Sequence, residues 1–299
     1  MVRVTTVLVQ KLGRKAVAGF CAALCFMLLG GGAHADQPHD WQLGMQAPAT
    51  PITERIHAFH NELLVIICLI AAFVFGLLLY IMLKFNARAN PVPARTTHNT
   101  FIEVLWTIIP VLILVTIAIP SFKLMYYMDR VPDSKMTIKV TGHQWYWEYT
   151  YPDQGNLDFN SNLVTDKDLK PGEPRLLTVD NPLVIPVDTT IRVQVAGSDV
   201  IHSWFVPSFG VQEYAIIGRL NEAWMHVSAV GTYYGECNQI CGVNHAFMPI
   251  EIKVVSQGDF QKWLADAKTK FAAEKPSDEL TTVADVESAA RPVPGAAGN

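Results

Sequence analysis

Three apolar blocks dominate the first 125 residues, and after them the hydrophobic pattern changes period. Residues 16–29, 63–83 and 104–125 are nearly unbroken apolar runs. The first is short for a bilayer span. It follows a basic stretch with Arg3, Lys11, Arg14 and Lys15 and precedes Ala33-His34-Ala35. That layout predicts a secretory signal over 1–35 and a mature chain beginning near Asp36. A lipoprotein signal is excluded, because Leu24 stands before Cys25 where a small residue is required. The second and third runs are long enough to cross a bilayer as helices. Pro110 and Pro120 interrupt the third run, which membrane helices tolerate when neighbours satisfy the freed backbone groups. The connecting loop carries Lys84, Arg88 and Arg95, so the positive-inside rule makes it cytoplasmic. Both ends of the hairpin then lie outside, in agreement with export by the signal.

From Met136 onward short runs alternate with period two. Strands are predicted over 137–140, 176–179, 183–187, 191–195 and 250–255, punctuated by Pro171-Gly172 and Asp180-Asn181-Pro182. Many short strands with turn signals and little helix predict an all-β sandwich or Greek-key barrel. Residues 257–270 can form a closing helix. Beyond Ala272 the chain is rich in Ala, Pro, Glu, Asp and Ser without apolar period, the composition of a disordered tail. The expected organisation is signal 1–35, periplasmic linker 36–56, transmembrane hairpin 57–128, β domain 129–271 and tail 272–299. There is no internal repeat.

Half of the residues are hydrophobic and the formal net charge is −4, but the clustering assigns that apolar content to the membrane rather than to one large core. The cysteines narrow the chemistry. Cys21 and Cys25 leave with the signal and Cys68 lies in an apolar run, so Cys237 and Cys241 are the exported thiols. Two close cysteines in an exported domain form a disulfide, a thiol-redox pair or a metal site. Around them stand His245 and Met248, and His202 lies upstream. Two His, Cys and a weak Met make the ligand set of a copper site on a β-sandwich, and a second thiolate lets both sulfurs bridge two coppers. Zinc is the rival metal but has no use for the methionine, and a plain disulfide is the simplest alternative.

The flanks add a resemblance. The segment Cys237-Asn238-Gln239-Ile240-Cys241-Gly242-Val243-Asn244-His245-Ala246-Phe247-Met248 resembles the CuA loop of cytochrome c oxidase subunit II, C-x-E-x-C-x3-H-x2-M. The upstream Asp199-Val200-Ile201-His202-Ser203-Trp204, the run Gly142-His143-Gln144-Trp145-Tyr146-Trp147 and Met248-Pro249-Ile250 follow the family's order as well. The resemblance spans nearly the whole mature chain. It implies a cupredoxin-like domain on a membrane hairpin. Two copper ions would be held by His202, Cys237, Cys241, His245, Met248 and the main-chain carbonyl of Gln239. It implies an enzyme subunit: electrons from cytochrome c would pass to the haem of subunit I, where oxygen is reduced to water and protons are pumped. Expected partners are subunits I and III, cytochrome c and the bilayer, with no nucleic acid. The expected location is a bacterial inner membrane, with both termini and the copper domain on the periplasmic side.

The family usually has Glu where this chain has Gln239, and Gln where it has Glu236. The carbonyl role survives that exchange. An amide is a weaker ligand for a hard cation than a carboxylate, so the magnesium ion expected at the subunit I border rests on Glu236 compensating for Gln239. Tyr214 and Ile217 also depart from the family pattern, while Gly218-Arg219 keeps it.

By the same resemblance, Trp145 is the surface indole that takes the electron, and Tyr146 and Trp147 read more simply as sandwich core. Acidic residues outnumber basic ones in the β domain, and basic cytochrome c would dock on Glu148, Asp153, Asp158 and Asp199. In the family's E-x-x-W pattern, here Glu103 to Trp106, the resemblance implies that Glu103 marks the entrance of a proton channel; the plain alternative is a helix-end residue. His57, His60, His98 and His143 read as surface or packing histidines. Three rivals remain: a quinol-oxidase-type scaffold subunit, which lacks the ligands; a copper-delivery or thiol-redox protein, which needs neither Trp145 nor two spans; and nitrous oxide reductase, whose propeller has no room here.

Overall fold

A computed structural model describes residues 37–92 and 94–274. The expected signal and cleavage site, and all of the expected tail after residue 274, lie outside these residues. Helix α1 is Pro51–Lys84 and α2 is Thr100–Asp129. Both are longer than the apolar runs that announced them, and α1 begins inside the stretch read as linker. The reason is a local start signal: Thr50 is the N-cap, its Oγ1 accepting from Thr53 N at 3.2 Å, and Pro51 fills the first turn, where its missing N–H costs nothing. At 1.5 Å per residue α1 is about 50 Å long, well beyond a hydrocarbon core of about 30 Å. Its first turns therefore project toward the β domain. Helix α2 is capped by Asn99, whose Oδ1 accepts from Ile102 N, while Glu103 Oε1 accepts from Asn99 N at 3.1 Å. The apolar side chains of both helices, such as Leu69, Phe73 and Leu114, are exposed, as expected for helices covered by lipid or other subunits.

The β domain holds strands β1 (Met136–His143), β2 (Tyr146–Tyr151), β3 (Leu157–Ser161), β4 (Leu183–Pro186), β5 (Thr190–Gly197), β6 (His202–Val206), β7 (Val211–Ala215), β8 (Asn221–His226), β9 (Gly231–Cys237) and β10 (Pro249–Val255), then helix α3 (Gln257–Glu274). They form two five-stranded sheets, ordered β3-β2-β1-β5-β8 and β4-β10-β9-β6-β7. The β1–β5 and β10–β4 pairs are parallel and the other pairs antiparallel. Alternate residues point between the sheets: Ile138, Val140, Trp147, Tyr149, Val193 and Val195 from one face Leu183, Ile185, Trp204, Val206, Tyr233 and Ile252 from the other, all almost wholly buried. This is the sandwich that the period-two pattern predicts. Helix α3 lays Phe260, Leu264, Ala267 and Phe271 on the core at helical spacing.

One expected strand is absent. Residues 175–177 form a turn in which Leu176 has φ +65° and Leu177 N and Thr178 N both donate to Pro174 O; Val179 makes a single antiparallel bridge with Leu163, its N donating to the buried Glu251 carboxylate. Backbone donors committed to a proline carbonyl and a side chain are not available to a ladder. Strand β2 also divides the aromatic run. Trp147 is fully buried, as core packing requires, whereas Tyr146 faces outward and stacks on His143, centroids 4.6 Å apart.

The hairpin and the sandwich are joined by hydrogen bonds. Thr50 Oγ1 donates to Phe209 O at 2.7 Å and Thr53 Oγ1 to Ser208 O at 2.9 Å. From α2, Tyr127 O accepts from Trp224 Nε1 at 3.3 Å, and the Arg55 guanidinium lies 3.5 Å from the Tyr127 ring centroid.

Candidate metal centre

Four segments meet at the end of the sandwich reached by β1 and β5. His202 opens β6 and is fully buried. Cys237 closes β9 and pairs in register with Trp204. Cys241 lies in the following loop, and Met248, 1% exposed, comes just before β10. The loop is closed on itself by Cys237 N donating to Met248 O at 3.1 Å. The two thiols are free, with Sγ atoms 3.8 Å apart. Cys241 Sγ is 3.6 Å from His245 Nδ1, and Cys237 Sγ is 3.3 Å from Gln239 O. Among the described residues, His202, Cys237 and Cys241 form the cluster able to hold a metal ion, with ligand atoms all within 4.8 Å of one another.

The donor set fits a soft metal. Two metal–sulfur bonds of about 2.3 Å at a tetrahedral angle separate the sulfurs by about 3.8 Å. His202 Nε2 pairs with Asp199 Oδ1 at 2.9 Å, which leaves Nδ1 buried without a hydrogen-bond partner. A buried imidazole nitrogen left unsatisfied costs about 1–3 kcal/mol, and a metal would take up that lone pair. The thiols differ in acidity. Burial disfavours the Cys237 thiolate, but His202 and the backbone around it outweigh burial and bring its pKa below the ordinary thiol value. Burial and the neighbouring Cys237 charge push the Cys241 pKa up. Burial opposes the imidazolium of His202, and the contacts with Cys237 and Asp199 raise its pKa despite that.

A second layer surrounds these groups. Asp199 Oδ1 accepts from Val200 N as well as His202, and Oδ2 accepts from Gln144 N at 2.7 Å. Burial alone would raise the Asp199 pKa; these hydrogen bonds hold it below the usual carboxylate value. Gln144 Nε2 and Trp145 Nε1 both donate to Cys241 O, at 2.9 and 3.2 Å. Trp145 is partly buried against the core. Gly142 lies against the His202 ring: a Cβ there would come within 2.8 Å of Cδ2. His143 bonds Glu148 through Nε2 and Ser198 through Nδ1, both at 2.8 Å.

The other expected residues are dispersed. Asp199 accepts from the N–H of Gln144, the residue before Trp145, and Glu148 bonds His143. Asp153 accepts from Thr137 N, and Asp158 pairs in register with Thr150, toward the other end of the β2–β3 hairpin. Glu236 is exposed on β9 and Gln239 partly buried in the loop. Glu103 sits at the far end of α2, engaged in the helix cap. Sequence reasoning passed over the roles of Gln144 and Ser198. Their hydrogen bonds reach segments remote in the chain and leave no mark on local spacing.

Residues 136–255 match the family model described as the periplasmic domain of cytochrome c oxidase subunit II, and residues 38–124 match its transmembrane domain. The probable cytochrome c oxidase subunit 2 of Rickettsia felis is 48% identical over 259 residues, covering 87% of this chain and 82% of the relative. That of Rickettsia bellii is 50% identical over 246 residues, covering 82% and 91%. Among solved structures, the periplasmic domain of subunit II of cytochrome oxidase from Bradyrhizobium japonicum is 51% identical, covers 48% of this chain and 99% of its own, and superposes with a TM-score of 0.45. Two membrane-type helices, a sandwich with a buried Cys–His cluster, and these matches along nearly the whole described chain place the protein in the family of cytochrome c oxidase subunit II, a membrane-bound part of that oxidase.

Proposed function

We propose that this chain accepts electrons from cytochrome c at a dinuclear copper centre and passes them to the haem of subunit I, where oxygen is reduced to water. The observation that carries the reading is the buried, unpartnered His202 Nδ1 beside two free thiols 3.8 Å apart. His202, Cys237, Cys241, His245, Met248 and the Gln239 carbonyl would hold two copper ions. Copper bound there supplies a one-electron relay with little reorganisation. The chain's own residues do the rest. The fold buries His202, Cys237, Cys241 and Met248 away from water, with His245 partly exposed in the loop. Trp145, in hydrogen-bond contact with Cys241 O, offers an indole bridge from the surface to the ligand loop.

Glu148 and Asp199 would meet the basic face of cytochrome c, with Asp153 and Asp158 contributing from farther along the domain. Glu103 would mark a proton entrance at the cytoplasmic end of α2, alongside its observed capping role. Gln239 and Glu236 are the candidates for a magnesium ion at the subunit I border, and subunit III is the further expected partner. The mature chain would begin near Asp36 and present both termini and the sandwich to the periplasm of a bacterial cell membrane.

The test is spectroscopic. Copper added to the purified chain in detergent should give a purple species with two coppers and one unpaired electron shared equally between them, seen by optical absorption and electron paramagnetic resonance. A colourless chain with an oxidised Cys237–Cys241 pair and no bound copper would refute the reading and leave a scaffold or thiol-redox subunit.

A further inference from the structure

Asp199 is expected from the sequence as a docking acid, and Gln144 precedes the electron-accepting indole in the chain. Both are exposed, yet their bonds run toward the metal cluster. The parallel strands β1 and β5 end side by side, Gly142 opposite Gly197, and so deliver two loops to the same end of the sandwich. Ser198 ties them together, its N and Oγ both donating to Gly142 O. Asp199, one residue on, spends both carboxylate oxygens inward: Oδ1 on His202 Nε2 and Val200 N, Oδ2 on Gln144 N. Gln144 then spans the gap to the other wall of the cluster through Nε2 and Cys241 O, 2.9 Å apart.

The loop backbone is shaped for this approach. Gly242, directly after Cys241, has φ +126°, and a Cβ there would stand 3.0 Å from Trp145 Cζ2 and 3.2 Å from Gln144 Nε2. A side chain at 242 would be strained by that φ and would also lift both donors off the loop. A continuous path of hydrogen bonds therefore runs His202–Asp199–Gln144–Cys241, with the Trp145 indole fastened to the same carbonyl.

We propose that Gln144 and Asp199 are positioning residues that clasp the His202 wall of the metal cluster to the Cys241 loop and hold Trp145 against that loop. The inference rests on the copper reading above. Groups that orient metal ligands without touching the metal commonly change affinity or activity on the order of 10- to 100-fold when removed, and residues that only meet a docking partner do not.

The experiment uses the assembled oxidase in detergent, with Gln144→Ala, Asp199→Asn and, as a docking comparison, Glu148→Gln. Copper retention against a chelator, the copper hyperfine pattern and the midpoint potential are measured without cytochrome c; KM and kcat for reduced cytochrome c follow. Gln144→Ala and Asp199→Asn are expected to lose copper to chelator at least tenfold more readily, to alter hyperfine pattern and potential, and to lower kcat more than they raise KM. Glu148→Gln is expected to raise KM with an unchanged copper spectrum. If Gln144→Ala does not assemble, Gln144→Asn, one methylene too short to reach Cys241 O, tests the same bond. A wild-type copper spectrum, potential and chelator resistance in the Gln144 and Asp199 variants, with changes in KM alone, would overturn the proposal and leave both as docking residues. The wild-type oxidase separates the two readings: absence of a dinuclear copper signal there defeats the copper reading itself.

Discussion

At the scale of single residues, Cys237 and Cys241 are four positions apart yet sit in opposite electrostatic settings. Cys237 ends a strand beside His202, which favours its thiolate; Cys241 lies in the loop, where burial and the Cys237 charge favour the thiol. Metal ligation requires both sulfurs deprotonated. Loading the chain with copper should therefore release protons, Cys241 being the main source, and apparent copper affinity should rise with pH through the neutral range. A pH indicator in weakly buffered solution would count the protons; an affinity independent of pH would contradict the assignment. Gly142 gives a second residue-scale expectation. Its missing Cβ is the space occupied by the His202 ring, and the ring is enclosed. Gly142→Ala should displace the imidazole, destabilise the domain by about 1–3 kcal/mol, and weaken copper binding, as thermal denaturation and chelator competition would show.

At the scale of elements, periodicity predicted type well and extent poorly. The runs 63–83 and 104–125 marked the lipid-facing parts of α1 and α2, but each helix continues past its apolar run because caps and tertiary contacts, not apolarity, set its ends. Strands β6 and β9 carry site residues and went unseen as strands: Ser203, Trp204, Gly235 and Glu236 do not alternate cleanly, since β6 is buried at nearly every position. Residues 176–179 had a strand's composition, but Pro174 and Glu251 take their donors and leave a turn followed by a single bridge from Val179 to Leu163. The start of α1 offers a test. Thr50 Oγ1 caps the helix and also donates to Phe209 O. Thr50→Ala should cost about 1–2 kcal/mol and raise amide hydrogen exchange in the first turn of α1 and at residues 207–209, with the copper spectrum unchanged.

At the scale of the whole molecule, the sandwich is fixed to the hairpin at two places, α1 against the turn at 207–209 and α2 against β8. Along this seam lies a groove of about 380 Å³ lined by Ile52, Met125, Asp129, Glu213, Glu222 and Trp224. Burial, and then the neighbouring Asp129, raise the Glu213 pKa above the usual glutamate value. The folded state thus holds this proton more tightly than the unfolded chain, so the contribution of Glu213 to stability is present in acid and lost as pH rises through the raised pKa. Glu213→Gln should remove that part of the pH dependence and raise the denaturation midpoint at neutral pH. An identical pH profile for variant and wild type would count against a raised pKa at this seam.

Much of the protein was legible without a fold. Apolar run length gave the two membrane-type helices, alternation gave the β-sandwich, and the spacing of Cys237, Cys241, His245 and Met248 marked a candidate metal site, because each of these is a local, one-dimensional constraint. Tertiary structure alone decided what holds these side chains in place. Gln144 and Cys241 are 97 residues apart and Ser198 and Gly142 are 56. They meet because the register of β1 with β5, and of β6 with β9, brings four chain segments to one end of the sandwich. A hydrogen bond made across such a distance is fixed by strand pairing and leaves no period, motif or composition in the sequence that could announce it.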